Sequence, residues 1–146
     1  MDTVGALKQV FIFKDVPENV LELVAKAAEE VSASAGETIL ASGQSPNAIF
    51  VIRNGTVRLT SDARDVAPVL FGSGETLGEV PFLDGGPAGL NAVALERADL
   101  LVIRKQKLEA ILAGNPEAGF RFYQAIAVSL AIRVRRVVKM LAFSGN

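Results

Sequence analysis

Cysteine and histidine are both missing from this chain. Their absence removes disulfides, thiolate nucleophiles, the common zinc and non-haem iron ligand sets, and every histidine-based triad, so no metal site is expected. Tryptophan is absent too, and there is a single tyrosine, so the aromatic content rests on eight phenylalanines. Charge of one sign is also lacking: 15 basic residues face 16 acids, for a formal net charge of -1. At whole-chain level this excludes the electrostatic footprint of a nucleic-acid binder. The acids Glu29, Glu30, Asp62, Asp65 and Asp84 have no spacing that makes a general acid and base pair. No catalytic residue and no resident cofactor is therefore expected. The most apolar late run, residues 125–132, is far short of the roughly 20 residues a membrane span needs. The N-terminus lacks the basic region, apolar run and small-residue cleavage site of a signal peptide. The expectation is a soluble, cytoplasmic, non-enzymatic protein without a membrane span.

What is present is half hydrophobic over 146 residues, enough for one core burying roughly two thirds of the unfolded surface. Pro17 suits a helix start, and Val20, Leu23, Val24, Ala27, Ala28 and Val31 recur at helical steps. Ahead of it, Val10-Phe11-Ile12-Phe13 reads as a turn or short helix tucking aromatics under the domain. Ser32 to Gly36 breaks the helical period. Between residues 35 and 104 the pattern becomes short apolar runs separated by turn residues, as in a sandwich or barrel of about eight short antiparallel strands. The runs are 38–40, 48–53, 56–60, 66–71, 90–95 and 100–103, with a polar turn at 61–65 and a glycine turn at 72–75. Asn54-Gly55 predicts a type I′ hairpin. Across that turn Val57 and Leu59 face inward, while Thr56, Arg58 and Thr60 face outward.

After Arg104 the helical period returns. A short helix over 105–112 stops at Ala113-Gly114-Asn115, and Pro116 starts a long one over about 116–142. Eight basic residues (Arg104, Lys105, Lys107, Arg121, Arg133, Arg135, Arg136 and Lys139) face only Glu109 and Glu117 here, which reads as a solvated helix face. The long helix carries Ile126, Leu130, Val134, Val137 and Leu141 along one seam, widened by Val128, Ile132 and Val138. A small roll cannot cover so apolar a helix from one side. Either it pairs with its twin in a homodimer, with the seam as interface, or it packs fully on its own domain.

The most informative stretch is 77–94, Leu-Gly-Glu-Val-Pro-Phe-Leu-Asp-Gly-Gly-Pro-Ala-Gly-Leu-Asn-Ala-Val-Ala. A Gly-Glu step opening a short helix, then a Gly-Gly-Pro turn and a strand, is an arrangement that aims backbone N–H groups at an anion. For Gly78, Gly85 and Gly86 a plainer account is that the turns of a tight roll need positive φ. Leu70, Val80 and Leu90 read as core rather than ligand contacts.

This order of elements resembles the cyclic nucleotide-binding domain, the family of the bacterial cAMP receptor protein and the regulatory subunits of cAMP-dependent kinase. Ala35-Gly36-Glu37-Thr38-Ile39-Leu40 with Gly43, the run from Ile49 to Gly55, Gly74, the 77–94 cassette and Asn115-Pro116 carry the resemblance. It implies a mainly β jelly roll with an N-terminal helix and a long C-terminal helix, making residues 1–146 one domain. It also implies a regulatory role, with cAMP, cGMP or a related ligand held between the roll and the long helix. The ligand-contact positions it implies are Gly78, Glu79, Val80, Ala88, Gly89, Leu90, Asn91 and Arg133. Glu79 falls where the family's glutamate accepts from the ribose hydroxyl, although a glutamate there also stabilises its own helix dipole. Ala88 falls where the family's phosphate-binding arginine stands, so phosphate recognition is expected to be weakened. Arg97, in the turn after the cassette strand, is expected to point to solvent. Arg133 and Arg135 sit on the helix that lids the pocket in the family; each either reaches the ligand or lies at the surface or dimer rim. The cAMP receptor protein carries a helix-turn-helix after this helix, and a chain stopping at Asn146 leaves no room for one, so no DNA-binding domain is expected. A protein partner and a ligand-independent docking role through the long helix stay open.

Overall fold

The computed structural model describes residues 2–62 and 68–144. Helices α1 (Thr3–Lys8) and α2 (Glu18–Ala27) flank a 3-10 turn at Phe11–Phe13. Eight strands follow with a short helix among them: β1 (Glu29–Ala33), β2 (Thr38–Leu40), β3 (Ala48–Asn54), β4 (Val57–Thr60), β5 (Val69–Phe71), β6 (Thr76–Leu77), α3 (Glu79–Asp84), β7 (Asn91–Ala94) and β8 (Ala98–Arg104). Helices α4 (Lys105–Ala113) and α5 (Pro116–Ser144) complete the chain. The strands form two antiparallel four-stranded sheets, ordered β1-β8-β3-β6 and β2-β7-β4-β5, the jelly roll expected. No helix among the described residues is long and apolar enough to cross a membrane.

The central strands of the first sheet are buried on both faces, which explains their unbroken apolar sequence. Along β3, Phe50 and Ile52 point into the roll, whereas Ile49 and Val51 point to the helical layer. β8 alternates likewise, with Leu100 and Val102 inward and Leu101 and Ile103 on the helices. Two cores result. One fills the roll between the sheets; the other joins the outer face of the first sheet to α1, α2, α4 and the beginning of α5.

A helix, α1, precedes the one the periodicity predicts, capped by the Asp2 carboxylate accepting from Gly5 N–H at 2.7 Å. The second helix ends at Ala27, and Val31 lies in β1, which pairs with β8. Only Val31 and Ala33 alternate as apolar residues in β1, too short a pattern to mark a strand, so the helical spacing runs on unbroken into an edge strand. The two-residue β6 also carries too little pattern to be seen. Asn54-Gly55 is not a hairpin: β3 pairs with β8 and β6, β4 with β5 and β7, and the chain crosses between sheets there. Gly55 alone takes positive φ, +93°, whereas a type I′ turn needs it at both residues. A Cβ on Gly55 would stand 2.4 Å from the Arg97 carbonyl oxygen, so this corner is closed to any other residue. The fourth run begins at Val69; Asp65 and Val66 lie outside the described residues. Facing in the following strand is as expected, with Val57 buried and Arg58 exposed.

Candidate functional site

The 77–94 cassette lies where the second sheet meets α5. Gly78, at φ +90°, turns the chain from β6 into α3 with its backbone pressed on β3, where a Cβ would come 2.8 Å from the Ala48 carbonyl oxygen. Gly85, at φ +71°, closes α3. Gly86 does not take positive φ; its N–H is held instead by the Asp84 carboxylate at 2.8 Å. Two ties fix α3 to α5. Phe82 meets the Phe122 ring edge-on at 6.0 Å, and Phe122 also packs on Phe13 at 5.2 Å, joining cassette, long helix and N-terminal turn in one aromatic cluster. Three helical turns further on, Arg133 Nη2 donates to Glu79 Oε2 at 2.7 Å.

That ion pair is lopsided. Glu79 is 2% exposed, whereas the Arg133 side chain is 42% exposed. The buried carboxylate is therefore compensated by a cation reaching in from α5, and losing that cation would strand a charge. Around the pair runs a cavity of about 290 Å³, near the lower end of the roughly 300–1,000 Å³ typical of small-molecule sites. Leu40, Leu59, Phe71, Leu77, Val80 and Leu90 give it apolar walls, and Glu79 and Arg133 are its charged lining residues.

Of the residues expected at the ligand, Gly78, Glu79, Val80, Ala88, Gly89, Leu90 and Arg133 line this one cavity. Asn91 does not line it; its Oδ1 accepts from Ser42 N–H and its Nδ2 donates to Asp62, pinning neighbouring turns. Val80 and Leu90 are half exposed on the cavity wall, and Leu70 is exposed on β5, so none of the three is core. The sheet around them has one open face, which the apolar sequence alone does not reveal. Arg97 points to solvent, touching Ser32 and Asp99. Arg135 lies exposed on α5. Phe71 and Leu59 are cavity residues that the sequence marks only as strand positions; alternation assigns a face but not what that face encloses.

The seam on α5 divides. Ile126 is fully buried in the domain's own core and so is excluded from any dimer contact; Leu130 packs half-buried beside it. Val134, Val137 and Leu141 are more than half exposed. Elsewhere, Asp99 is held below its ordinary carboxylate value, chiefly by the Ser32 hydroxyl that donates to it at 2.8 Å. Burial raises the Tyr123 phenol, with Glu109 adding to the shift. Among the described residues no acidic cluster is arranged to hold a metal.

Known proteins share this fold. The chain spans 93% of its length in alignment with the CRP-like cAMP-activated global transcriptional regulator of Mycobacterium tuberculosis, at 24% identity, covering 60% of that protein. The Thermus thermophilus catabolite activator protein superimposes with a TM-score of 0.78 at 24% identity, over 92% of this chain and 62% of that one. A cyclic nucleotide-binding domain from Methylobacillus flagellatus superimposes with a TM-score of 0.83 at 18% identity, over 98% and 86%. Residues 30–115, more than half of the chain and including the whole cassette, match the family model of the cyclic nucleotide-binding domain. The chain belongs to the cyclic nucleotide-binding domain family.

Proposed function

We propose that residues 1–146 form one non-enzymatic, cytoplasmic sensor domain of the cyclic nucleotide-binding type. It takes cAMP, cGMP or a related ligand, with altered phosphate recognition, and reports occupancy through α5. The observation that carries this reading is the Glu79–Arg133 bond, which joins the cassette helix to the long helix inside an apolar cavity. A ligand that shares Glu79, or crowds Arg133, changes what holds α5 against the roll; differential contact with two helix positions is what a switch requires. Family membership and the cAMP-activated relative support the ligand class. The test is hydrogen exchange of α3 and of α5 beyond residue 130, with and without ligand, alongside thermal unfolding. A true ligand at a hundredfold excess over its Kd adds about 2.7 kcal/mol of stability. Protection should change in both helices. Stabilisation with α5 unmoved would overturn the coupling.

A second reading, a ligand-independent module that dimerises or docks through α5, is favoured by the exposed Val134, Val137, Val138, Met140 and Leu141. It expects a concentration-dependent homodimer in sedimentation and no response to ligand. A monomer at micromolar concentration would count against it.

A further inference from the structure

We propose that α5 carries a second ligand site, beside the cassette cavity and separate from it, and that this site takes a phosphate group. It does not depend on the first cavity binding a ligand. Between the 3-10 turn, the β5–β6 turn and α5 lies a further cavity of about 230 Å³. Phe11, Ile12, Glu75, Ser129 and Arg136 line this cavity and not the first, and the two meet at Phe71, Thr76 and Arg133. No residue from Leu77 to Leu90 lines it, so it lies outside the cassette.

The polar side chains of this cavity are mainly donors. On α5, Ser129, Arg133 and Arg136 stand at i, i+4 and i+7 and share one helix face. Arg133 gives Nη2 to Glu79 and keeps its other N–H groups. Arg136 has no carboxylate partner among the described residues. Thr76 approaches from β6. It lies opposite Val51, which points to the helical layer, so its side chain points there too, while Leu77 turns into the roll. Thr76 is only 8% exposed, yet its hydroxyl has no protein partner among the described residues. Every fully enclosed side-chain polar atom among those residues has one, so this hydroxyl opens onto the cavity instead. A ligand oxygen would complete it. Glu75 is the single acid in the lining, and its Oε2 is engaged within its own turn, accepting from Gly72 N–H at 3.0 Å. Two guanidinium groups and two hydroxyls lining one small space suit the several oxygens of a phosphate, which guanidinium forks bind through paired, charge-assisted bonds.

The experiment is a titration of the intact chain with inorganic phosphate, followed through its backbone amide and arginine Nε–H resonances by NMR. It is repeated on Arg136→Gln, on Thr76→Val and on Arg135→Gln, the last an exposed cation of α5 that lines neither cavity. The expected result is saturating shifts at Glu75, Thr76, Ser129 and Arg136. Arg136→Gln should weaken binding by about tenfold or more, the worth of a charge-assisted bond. Thr76→Val should weaken it severalfold with thermal unfolding unchanged or raised, because the substitution keeps the shape and removes an unpartnered hydroxyl. Arg135→Gln should bind as the wild type does. Phenyl phosphate, titrated in parallel, separates the two sources of the group: tighter binding with added shifts at Phe11 marks an organic phosphate, and weaker binding marks the free ion. Shifts that do not saturate, or that Arg135→Gln weakens as much as Arg136→Gln does, reduce the effect to general attraction by a basic helix and overturn the proposal. Saturating shifts confined to residues 78–90 overturn it too, since they put the phosphate in the first cavity.

Discussion

The two halves of α5 carry the same apolar stripe to opposite ends. Up to Leu130 the stripe lies on the domain: Phe122 and Ile126 are fully buried between the first sheet, α3 and the N-terminal turn. Past Arg133 it runs on through Val137 and Leu141, which are 54% and 66% exposed. Sequence period is identical on both sides of this boundary. What differs is the surface opposite: the first half packs on the N-terminal turn and Phe82 within the helical-layer core, whereas the apolar positions of the second half are left exposed. Arg133 stands at the junction, where a polar tie replaces packing. The helix is anchored by apolar burial and only tethered beyond it, as the proposed coupling to the cavity requires.

The sharpest way to break the contrast is Phe122→Ala. It removes the ring shared by Phe13 and Phe82, and urea unfolding should lose about 3–5 kcal/mol. A loss under about 1 kcal/mol would mean that the first half is not the anchor.

Next in size is Arg133→Ala, which strands Glu79. With the arginine side chain 42% exposed, the solvent-discounted cost is roughly 1–3 kcal/mol. Exchange of α5 beyond residue 130 should rise more than exchange before it, and the double variant with Glu79→Gln should recover part of the stability. Equal exchange in both halves would argue against a tether.

Smaller still is Val137→Glu with Leu141→Glu on the outer half. Each should alter the stability of the folded chain by about 0.5 kcal/mol or less, as surface positions do. If a second copy covers this face, sedimentation should instead record loss of the dimer.

The smallest effect lies away from both halves, at the cross-strand pair Ser32 and Asp99. The folded Asp99 value is depressed, so its contribution is present above the unfolded carboxylate value and lost as pH falls through the folded one. Ser32→Ala should therefore cost a little at pH 7, and the gap from wild type should close below about pH 4. A gap that widens in acid would contradict the assigned cause. Neither half of α5 should change its exchange.

A roll of short strands, the Gly78-Glu79 step and the two C-terminal helices were legible in the sequence, because each rests on local signals: period, turn glycines and a starting proline; α1, β1 and β6 were not. Alternation likewise placed Val57 inward and Arg58 outward. Which strands pair was not legible, so Asn54-Gly55 looked like a hairpin although its strands belong to different sheets. Pairing depends on partners distant in the chain. The same limit explains Val31, whose helical spacing continues into an edge strand held by Leu100 of β8.

For the site, a glutamate without an arginine in the cassette could be read from the residues directly, since Glu79 and Ala88 are matters of composition at fixed spacing. Arg133, 54 residues away, becomes Glu79's partner only on folding, because a contact of that kind is made where α3 and α5 meet. Folding likewise decided that half of one continuous apolar stripe would be core and the other half surface. A helix repeats its pattern along its length, whereas burial depends on what lies opposite.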